Sequence, residues 1–302
     1  MNNQINGLIS TPMTPFNKQG ELQLDLIDPF IRWQVESGVK GVYILGTWGG
    51  FGVMSLSERL AVAEAYTKAC KKHGMQVIIH IGTYKYEEML DLGRQAIELG
   101  ADAISSTVPV YYSTGGYLKF DDYKRYFGKM VNDLQHPLLV YNNPRTTKIL
   151  FEPREFVELV KLGVRGVKDG SKNVAWVLKA QNYLKEEGLE AEIIPGNSVG
   201  LLYGLLYGCK AVTSGASVVF PRETAEVFRL FEEGNIQEAA VQHRFVLKLR
   251  EAIGMCSAPP AAAHFLLNRY GKSLGVARDL WPALEENLEK LILDRLRSLN
   301  QY

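Results

Sequence analysis

The chain has 302 residues, 46% of them hydrophobic and 22% charged, and its 34 Lys+Arg against 33 Asp+Glu leave a net charge of +1. That composition is ordinary for a globular protein with material for a core, and the length suits one large domain or two average ones. The charge balance argues against a nucleic-acid surface, a polybasic membrane anchor or an acidic solvating tail.

Three cysteines, Cys70, Cys209 and Cys256, are scattered without a C-x-x-C spacing, which argues against a disulfide framework or a zinc site. The opening MNNQINGLIS is polar and lacks the basic-then-apolar layout of an export signal. No apolar run approaches the roughly 18 residues of a membrane span. The expected setting is the cytoplasm, with no membrane or nucleic-acid partner.

In chain order, short β-branched runs predict strands over residues 8–11, 42–45, 77–81, 103–106, 138–141, 164–168, 191–194 and 211–213. Most lack polar–apolar alternation, as parallel strands buried on both faces do. Amphipathic stretches fill the gaps. One opens at Ser57-Glu58-Arg59 and carries Leu60, Val62, Ala63 and Tyr66 at helical spacing, and another has Pro153 just inside its start. Gly38, Gly74 and Gly100 stand where helices should stop. The last strand-to-strand gap leaves room for a short helix only.

Eight strands alternating with helices predict a closed (β/α)₈ TIM barrel. An open dinucleotide-binding sheet would need G-x-G-x-x-G after the first strand, where the chain instead reads Ser10-Thr11-Pro12-Met13-Thr14-Pro15. From about Pro221 only helices follow, over 223–233, 236–253, 261–270 and 281–298. The barrel is accordingly placed at residues 1–232 and a C-terminal helical domain at 233–302.

Barrel enzymes work at the C-terminal ends of their strands. Lys168 ends the sixth strand and Tyr141 the fifth. Desolvation among apolar walls disfavours an ammonium, and a free amine is a nucleophile toward carbonyls. A neighbouring tyrosine hydroxyl can carry protons during such an addition. The bland alternatives are a snorkelling lysine and a core tyrosine with its hydroxyl at the rim. No carboxylate pair with metal-binding spacing stands at the rim. His73, His80, His136, His243 and His264 show no metal spacing and read as core or structural residues.

Five stretches, in order, resemble the dihydrodipicolinate synthase / N-acetylneuraminate lyase family of pyruvate-dependent class I aldolases. They are Thr11-Pro12-Met13-Thr14-Pro15-Phe16, Gly46-Thr47-x-Gly49 with Ser55-Leu56-Ser57-Glu58-Arg59, Pro109-x-Tyr111-Tyr112, Tyr141-Asn142-x-Pro144 and Gly166-Val167-Lys168-Asp169. The resemblance implies Lys168 as Schiff-base lysine and Tyr141 as acid/base group. It further implies that Thr47 links Tyr141 to Tyr111, with Tyr111 reaching in from a neighbouring subunit of a homotetramer, a dimer of dimers. Backbone N–H groups of Thr47-Trp48 would hold the carboxylate of a small 2-oxo acid. No metal or organic cofactor is implied.

The departures from the family pattern bear on substrate. Trp48 replaces a hydroxyl residue and either packs under the glycine loop or narrows the pocket over the pyruvyl group. Thr146 stands where synthases of the lysine pathway carry an arginine, and Arg145 precedes it. After Gly196, Ser198 and Val199 replace the Asp-Glu pair of sialate lyases. Thr146, Thr147, Ser198, Thr213 and Ser214 then describe a neutral, hydroxyl-lined pocket. It suits a 2-keto-3-deoxy sugar acid such as 2-keto-3-deoxygluconate, cleaved reversibly to pyruvate and glyceraldehyde. The alternatives are a pyruvate-condensing synthase or dehydratase of the same family, including dihydrodipicolinate synthase with Arg145 standing in for the missing arginine, N-acetylneuraminate lyase, and a non-catalytic binding protein on the same barrel.

Overall fold

The computed structural model describes residues 4–278, 281 and 284–299. Its strands are β1 (Gly7–Ser10), β2 (Gly41–Ile44), β3 (Gln76–His80), β4 (Ala103–Ser106), β5 (Leu138–Asn142), β6 (Gly166–Asp169), β7 (Glu192–Pro195) and β8 (Ala211–Ser214). Each lies within two residues of its predicted start and end. All pair in parallel, in the order β7-β6-β5-β4-β3-β2-β1-β8. The Thr213 hydroxyl donates to the Pro195 carbonyl at 3.3 Å across the seam between β8 and β7. The result is a nearly closed (β/α)₈ barrel.

The helices are α1 (Ile27–Glu36), α2 (Leu56–Lys72), α3 (Tyr86–Glu98), α4 (Val110–Thr114), α5 (Phe120–Leu134), α6 (Pro144–Thr147), α7 (Pro153–Lys161), α8 (Val174–Glu186), α9 (Gly200–Leu206), α10 (Pro221–Glu232), α11 (Ile236–Ile253), α12 (Pro259–Arg269) and α13 (Glu286–Arg297). The first three end two residues before Gly38, Gly74 and Gly100. The short α4 and α6 go beyond the predicted elements: too brief for periodicity to show, they sit directly after strand ends. α2 starts one residue before the expected Ser57, because Ser55 caps it. The Glu58 N–H donates to Ser55 Oγ at 3.2 Å and the Ser55 N–H to Glu58 Oε2 at 2.8 Å. The helix expected over 281–298 begins only at Glu286; Trp281, Leu284 and Glu285 are not helical, and residues 282 and 283 lie outside the described ones. Pro282 disfavours helical backbone at the residue before it.

Alternation along each strand divides the side chains between two cores. Ile9, Tyr43, Ile78, Ala103, Leu139, Tyr141, Ile194 and Ala211 meet inside the barrel. Val42, Ile44, Val77, Ile79, Leu138 and Val140 face outward into the larger layer beneath the helices. Val246 and Leu249 of α11 and Leu266 of α12 belong to that same layer. Arg278 reaches Glu58 at 2.6 Å and Val276 bridges Phe16, so the C-terminal segment is tied to both ends of the first βα units.

On β6 the alternation sends Val167 outward against Phe156 and Trp176 and leaves Gly166 and Lys168 on the other face. Gly166 allows the close pairing with β7, where a Cβ would collide with the Glu192 carbonyl oxygen and stand 2.8 Å from the Glu192 Cβ. Gly166→Ala is expected to lower stability by about 1–3 kcal/mol, the usual cost of overpacking, read as a lower urea midpoint. An unchanged midpoint would show that β6 and β7 separate freely.

Two histidines are buried neutral. His80 Nδ1 lies 3.1 Å from the Leu45 carbonyl, and burial, with the nearby Arg59 and Lys168 charges, pulls its pKa down to about 3. Burial pulls His264 of α12 down to about 4. Both folded values lie below the roughly 6.5 of an unfolded histidine, so the unfolded chain takes up these protons first. Stability is therefore complete above about pH 6.5 and falls as pH drops toward 4 and then 3, by on the order of 3 kcal/mol for each histidine. Urea midpoints measured from pH 7.5 to 4 should show this fall, and His264→Gln should flatten its slope. An unaltered slope in that variant would assign the acid sensitivity to other groups.

Candidate active site

Parallel pairing of β5 with β6 places Tyr141 directly opposite Lys168. Both are buried at the C-terminal end of the barrel interior, with relative exposures of 9% and 4%. The Lys168 amine stands 3.6 Å from the Tyr141 ring centroid and 4.3 Å from that of Tyr43. The two rings meet edge to face, with centroids 5.6 Å apart. A charged amine is attracted to such π faces, which hold it without a counter-ion. Among the described residues Lys168 has no salt-bridge partner.

Asp169, next in the chain, points to the other face of the strand. Its carboxylate accepts from Asn142 Nδ2 at 2.9 Å and from the Ser171 hydroxyl at 2.7 Å. Burial raises its pKa, and these hydrogen bonds with the Lys168 charge act against the rise. Asn142 in turn accepts from the Phe151 N–H at 3.3 Å. Asp169 thus fixes the loops after β5 and β6 around the amine.

Tyr43 is a residue that sequence reasoning missed. In mid-strand it reads as an ordinary core aromatic; only closure of the barrel brings β2 across to Lys168. Its hydroxyl lies 3.1 Å from Ser105 Oγ, and burial, then the neighbouring Tyr141, raise its pKa well above the usual tyrosine range. Arg59 was also missed, although its spacing to Val62, Ala63 and Tyr66 puts it on the apolar face of α2. It is buried and donates through Nη2 to the His80 carbonyl at 3.0 Å, and burial lowers its pKa to about 10. His80 lies among the rings of Phe51, Tyr141 and Tyr43, at centroid distances of 4.8, 6.1 and 6.3 Å. A neutral, buried histidine there shapes the wall of the site, as expected of a core residue.

The loop after β2 begins beside Tyr43, whose ring lies 2.6 Å from where a Cβ on Gly46 would stand. Leu45 has φ 56°, a left-handed conformation that leucine rarely adopts. The chain then folds back so tightly that a Cβ at Gly49 would stand 2.8 Å from the Leu45 nitrogen. Thr14 pins the turn by donating its hydroxyl to the Gly49 carbonyl at 2.7 Å. Thr47 is half-buried here, and among the described residues no hydrogen bond joins it to Tyr141 or Tyr111. The Trp48 ring lies against the end of β8, 3.0 Å from where a Cβ on Gly215 would stand.

Tyr111 stands apart from the amine. It is 69% exposed on α4, edge to face with Tyr112 at 5.4 Å. Among the tail residues, Ser198 and Ser214 are buried with hydroxyls 2.9 Å apart, and the Ser198 carbonyl lies 2.8 Å from His243 Nε2. Thr213 spends its hydroxyl on the barrel seam. The Gly196 N–H donates to the Asp169 carbonyl at 2.6 Å. Thr147 is buried and donates to the Asn143 and Ile149 carbonyls at 3.0 and 3.1 Å, while Thr146 is exposed. Among the described residues no three His, Cys, Asp or Glu side chains gather as a metal site, and no helix is long and apolar enough to cross a membrane.

Comparison with known proteins places the whole chain in one family. The profile of the Dihydrodipicolinate synthetase family matches residues 4–279. The 4-hydroxy-tetrahydrodipicolinate synthase of Methanocaldococcus jannaschii is 26% identical over 295 residues, covering 97% of this chain and 98% of that protein. N-acetylneuraminate lyase A of Xenopus laevis is 26% identical over 240 residues, covering 78% and 77%. A crystallised dihydrodipicolinate synthase superposes with a TM-score of 0.87 at 25% identity, covering 98% of this chain and 99% of that one. The chain therefore belongs to the dihydrodipicolinate synthase / N-acetylneuraminate lyase family, and it is an enzyme of that family's pyruvate-dependent lyase and synthase type.

Proposed function

We propose that Lys168 forms a Schiff base with a 2-oxo acid, and that the enzyme reversibly cleaves a 2-keto-3-deoxy sugar acid, such as 2-keto-3-deoxygluconate, to pyruvate and glyceraldehyde. The observation that carries the reading is the buried Lys168 amine held on the faces of Tyr141 and Tyr43. The amine attacks C2 of the oxo acid, the carbonyl oxygen leaves as water, and a protonated imine remains. The C4 hydroxyl then gives up its proton as the C3–C4 bond breaks. The electron pair of that bond enters the imine, leaving an enamine and a free aldehyde. Protonation at C3 and hydrolysis return pyruvate and the lysine. Tyr141 moves the protons of these steps, the turn at Thr47-Trp48 holds the substrate carboxylate, and no cofactor is used. The Ser198 and Ser214 hydroxyls, with Thr146, support the choice of a short hydroxylated tail.

The active unit is a cytoplasmic homotetramer in this reading, with Tyr111 and Thr47 completing a proton relay between subunits. The exposure of Tyr111 and Tyr112 supports it, since aromatic side chains are enriched in buried contacts between copies.

Treatment with pyruvate and borohydride should inactivate the enzyme and modify the peptide bearing Lys168. Lys168→Arg should be inactive, because a guanidinium stays protonated. Tyr141→Phe should be about 10²–10⁴-fold slower. Modification of another lysine, or normal turnover without Lys168, would overturn the mechanism. Among aldehydes offered with pyruvate, glyceraldehyde should outrun aspartate semialdehyde and N-acetylmannosamine; the reverse order would make the enzyme a synthase or a sialate lyase.

Assembly has its own test. Inactive Lys168→Ala and weak Tyr111→Phe proteins, mixed under conditions of subunit exchange, should regain activity, since some mixed sites hold both intact side chains. Exchange without recovery would place the site within one chain.

A further inference from the structure

We propose that His80 is a positioning residue for 2-oxo acid binding: it holds the loop after β2 at both ends and so fixes the turn whose Thr47 and Trp48 N–H groups receive the carboxylate. The role rests on the proposed Schiff-base chemistry for the identity of that anion alone.

The β2–β3 register pairs Ile44 with Ile79, so Leu45 and His80 follow side by side where the two strands end. Leu45 turns left-handed there, at φ 56°, a conformation a leucine keeps only when its surroundings impose it. His80 Nδ1 lies 3.1 Å from the Leu45 carbonyl oxygen. A carbonyl only accepts, so Nδ1 carries the ring proton and donates it. That bond fixes the plane of the Leu45–Gly46 peptide, and with it the direction in which the turn begins. Burial, then the Arg59 and Lys168 charges, keep the ring neutral and leave Nε2 a bare acceptor. Among the described residues Nε2 has no partner. A hydrocarbon side chain would avoid the cost of that buried, unbonded nitrogen, but it could not hold the Leu45 carbonyl.

The far end of the loop returns to the same imidazole. The Phe51 ring packs on His80 with centroids 4.8 Å apart, and the Arg59 guanidinium carbon lies 5.5 Å from the Phe51 centroid. Arg59 also donates to the His80 carbonyl at 3.0 Å, which fixes the strand end that carries the ring. Between these anchors Thr14 holds the Gly49 carbonyl at 2.7 Å. The Thr47 and Trp48 N–H groups donate to no acceptor among the described residues. A strained turn pinned at both ends, with unspent N–H donors between them, is already arranged for an anion before one arrives.

The test compares His80→Asn, His80→Gln and His80→Leu in the addition of pyruvate to glyceraldehyde. An Asn amide can put an N–H where Nδ1 stands, a Gln amide reaches one bond further, and Leu offers no donor. His80→Gln and His80→Leu should raise the KM for pyruvate about 10- to 100-fold, the usual worth of a hydrogen bond to a charged group. Their kcat and their KM for glyceraldehyde should stay close to those of the natural protein, and His80→Asn should restore the pyruvate KM. The pyruvate concentration for half-maximal borohydride inactivation should move by the same factors, a readout without turnover. His136 provides the control, since its Nε2 lies 2.9 Å from the Ala101 carbonyl, ahead of β4 and β5 at the opposite end of the barrel. His136→Leu should lower the urea midpoint and leave the pyruvate KM unchanged. If His80→Leu does not fold, the Asn and Gln variants decide, because they carry the same amide in different places. A natural pyruvate KM in His80→Gln, equal losses in His80→Asn and His80→Gln, or KM values that follow the urea midpoints across all the variants would overturn the positioning role. Borohydride trapping on the natural protein separates the two ideas. A modified Lys168 with normal pyruvate binding in His80→Gln removes only the role of His80, whereas an unmodified Lys168 removes the Schiff-base reading itself.

Discussion

The parallel register of β5 and β6 is the constraint on which the rest of the site depends. It sets Tyr141 opposite Lys168, and the two-residue period of the strands sends both side chains into the barrel while Val140 and Val167 anchor the outer layer. A slip of one residue would turn the lysine outward among the helices and bring Asp169 inside. The register is held from outside the site. Asp169 and Asn142 bond to each other and to the following loops, and Gly166 permits the close approach of β7.

The interior closes upward with aromatic rather than acidic groups around the amine. Tyr43, Tyr141 and His80 form its walls, and each of the first two presents a π face to the lysine. The amine thus rests on π faces, which attract a cation without an acidic side chain beside it. Arg59 is spent on the His80 carbonyl, fixing the end of β3. Arg250 lies over the Trp48 ring, its guanidinium carbon 5.5 Å from the ring centroid.

The C-terminal helices are therefore part of the site's architecture. Their apolar residues complete the outer core, and Val276 and Arg278 tie them to Phe16 and Glu58. Through Arg250 over Trp48 the same segment touches the loop after β2. His243 of α11, beside the Ser198 carbonyl, adds a second link to the loop after β7.

The sequence alone determined the elements whose causes are local. Eight apolar runs separated by helical spacing identify the strands, the glycines after α1, α2 and α3 identify the stops, and α11 lies over 236–253 as its periodicity predicts. Lys168 and Tyr141 are legible for the same reason, since each ends its own strand and the two strands are successive. What only the tertiary structure decided are the contacts made by closure, which have no characteristic spacing along the chain. Tyr43 meets Lys168 from across the barrel, and Arg250 of α11 meets the Trp48 ring of the loop after β2. The direction of Trp48 was open in the sequence and is decided by Gly215, a small residue on a distant strand end. Thr213 and Thr147 read as pocket hydroxyls in the sequence, yet backbone carbonyls that become neighbours only in the fold claim both of them first. A hydroxyl's availability to substrate depends on such competition, which local sequence does not record.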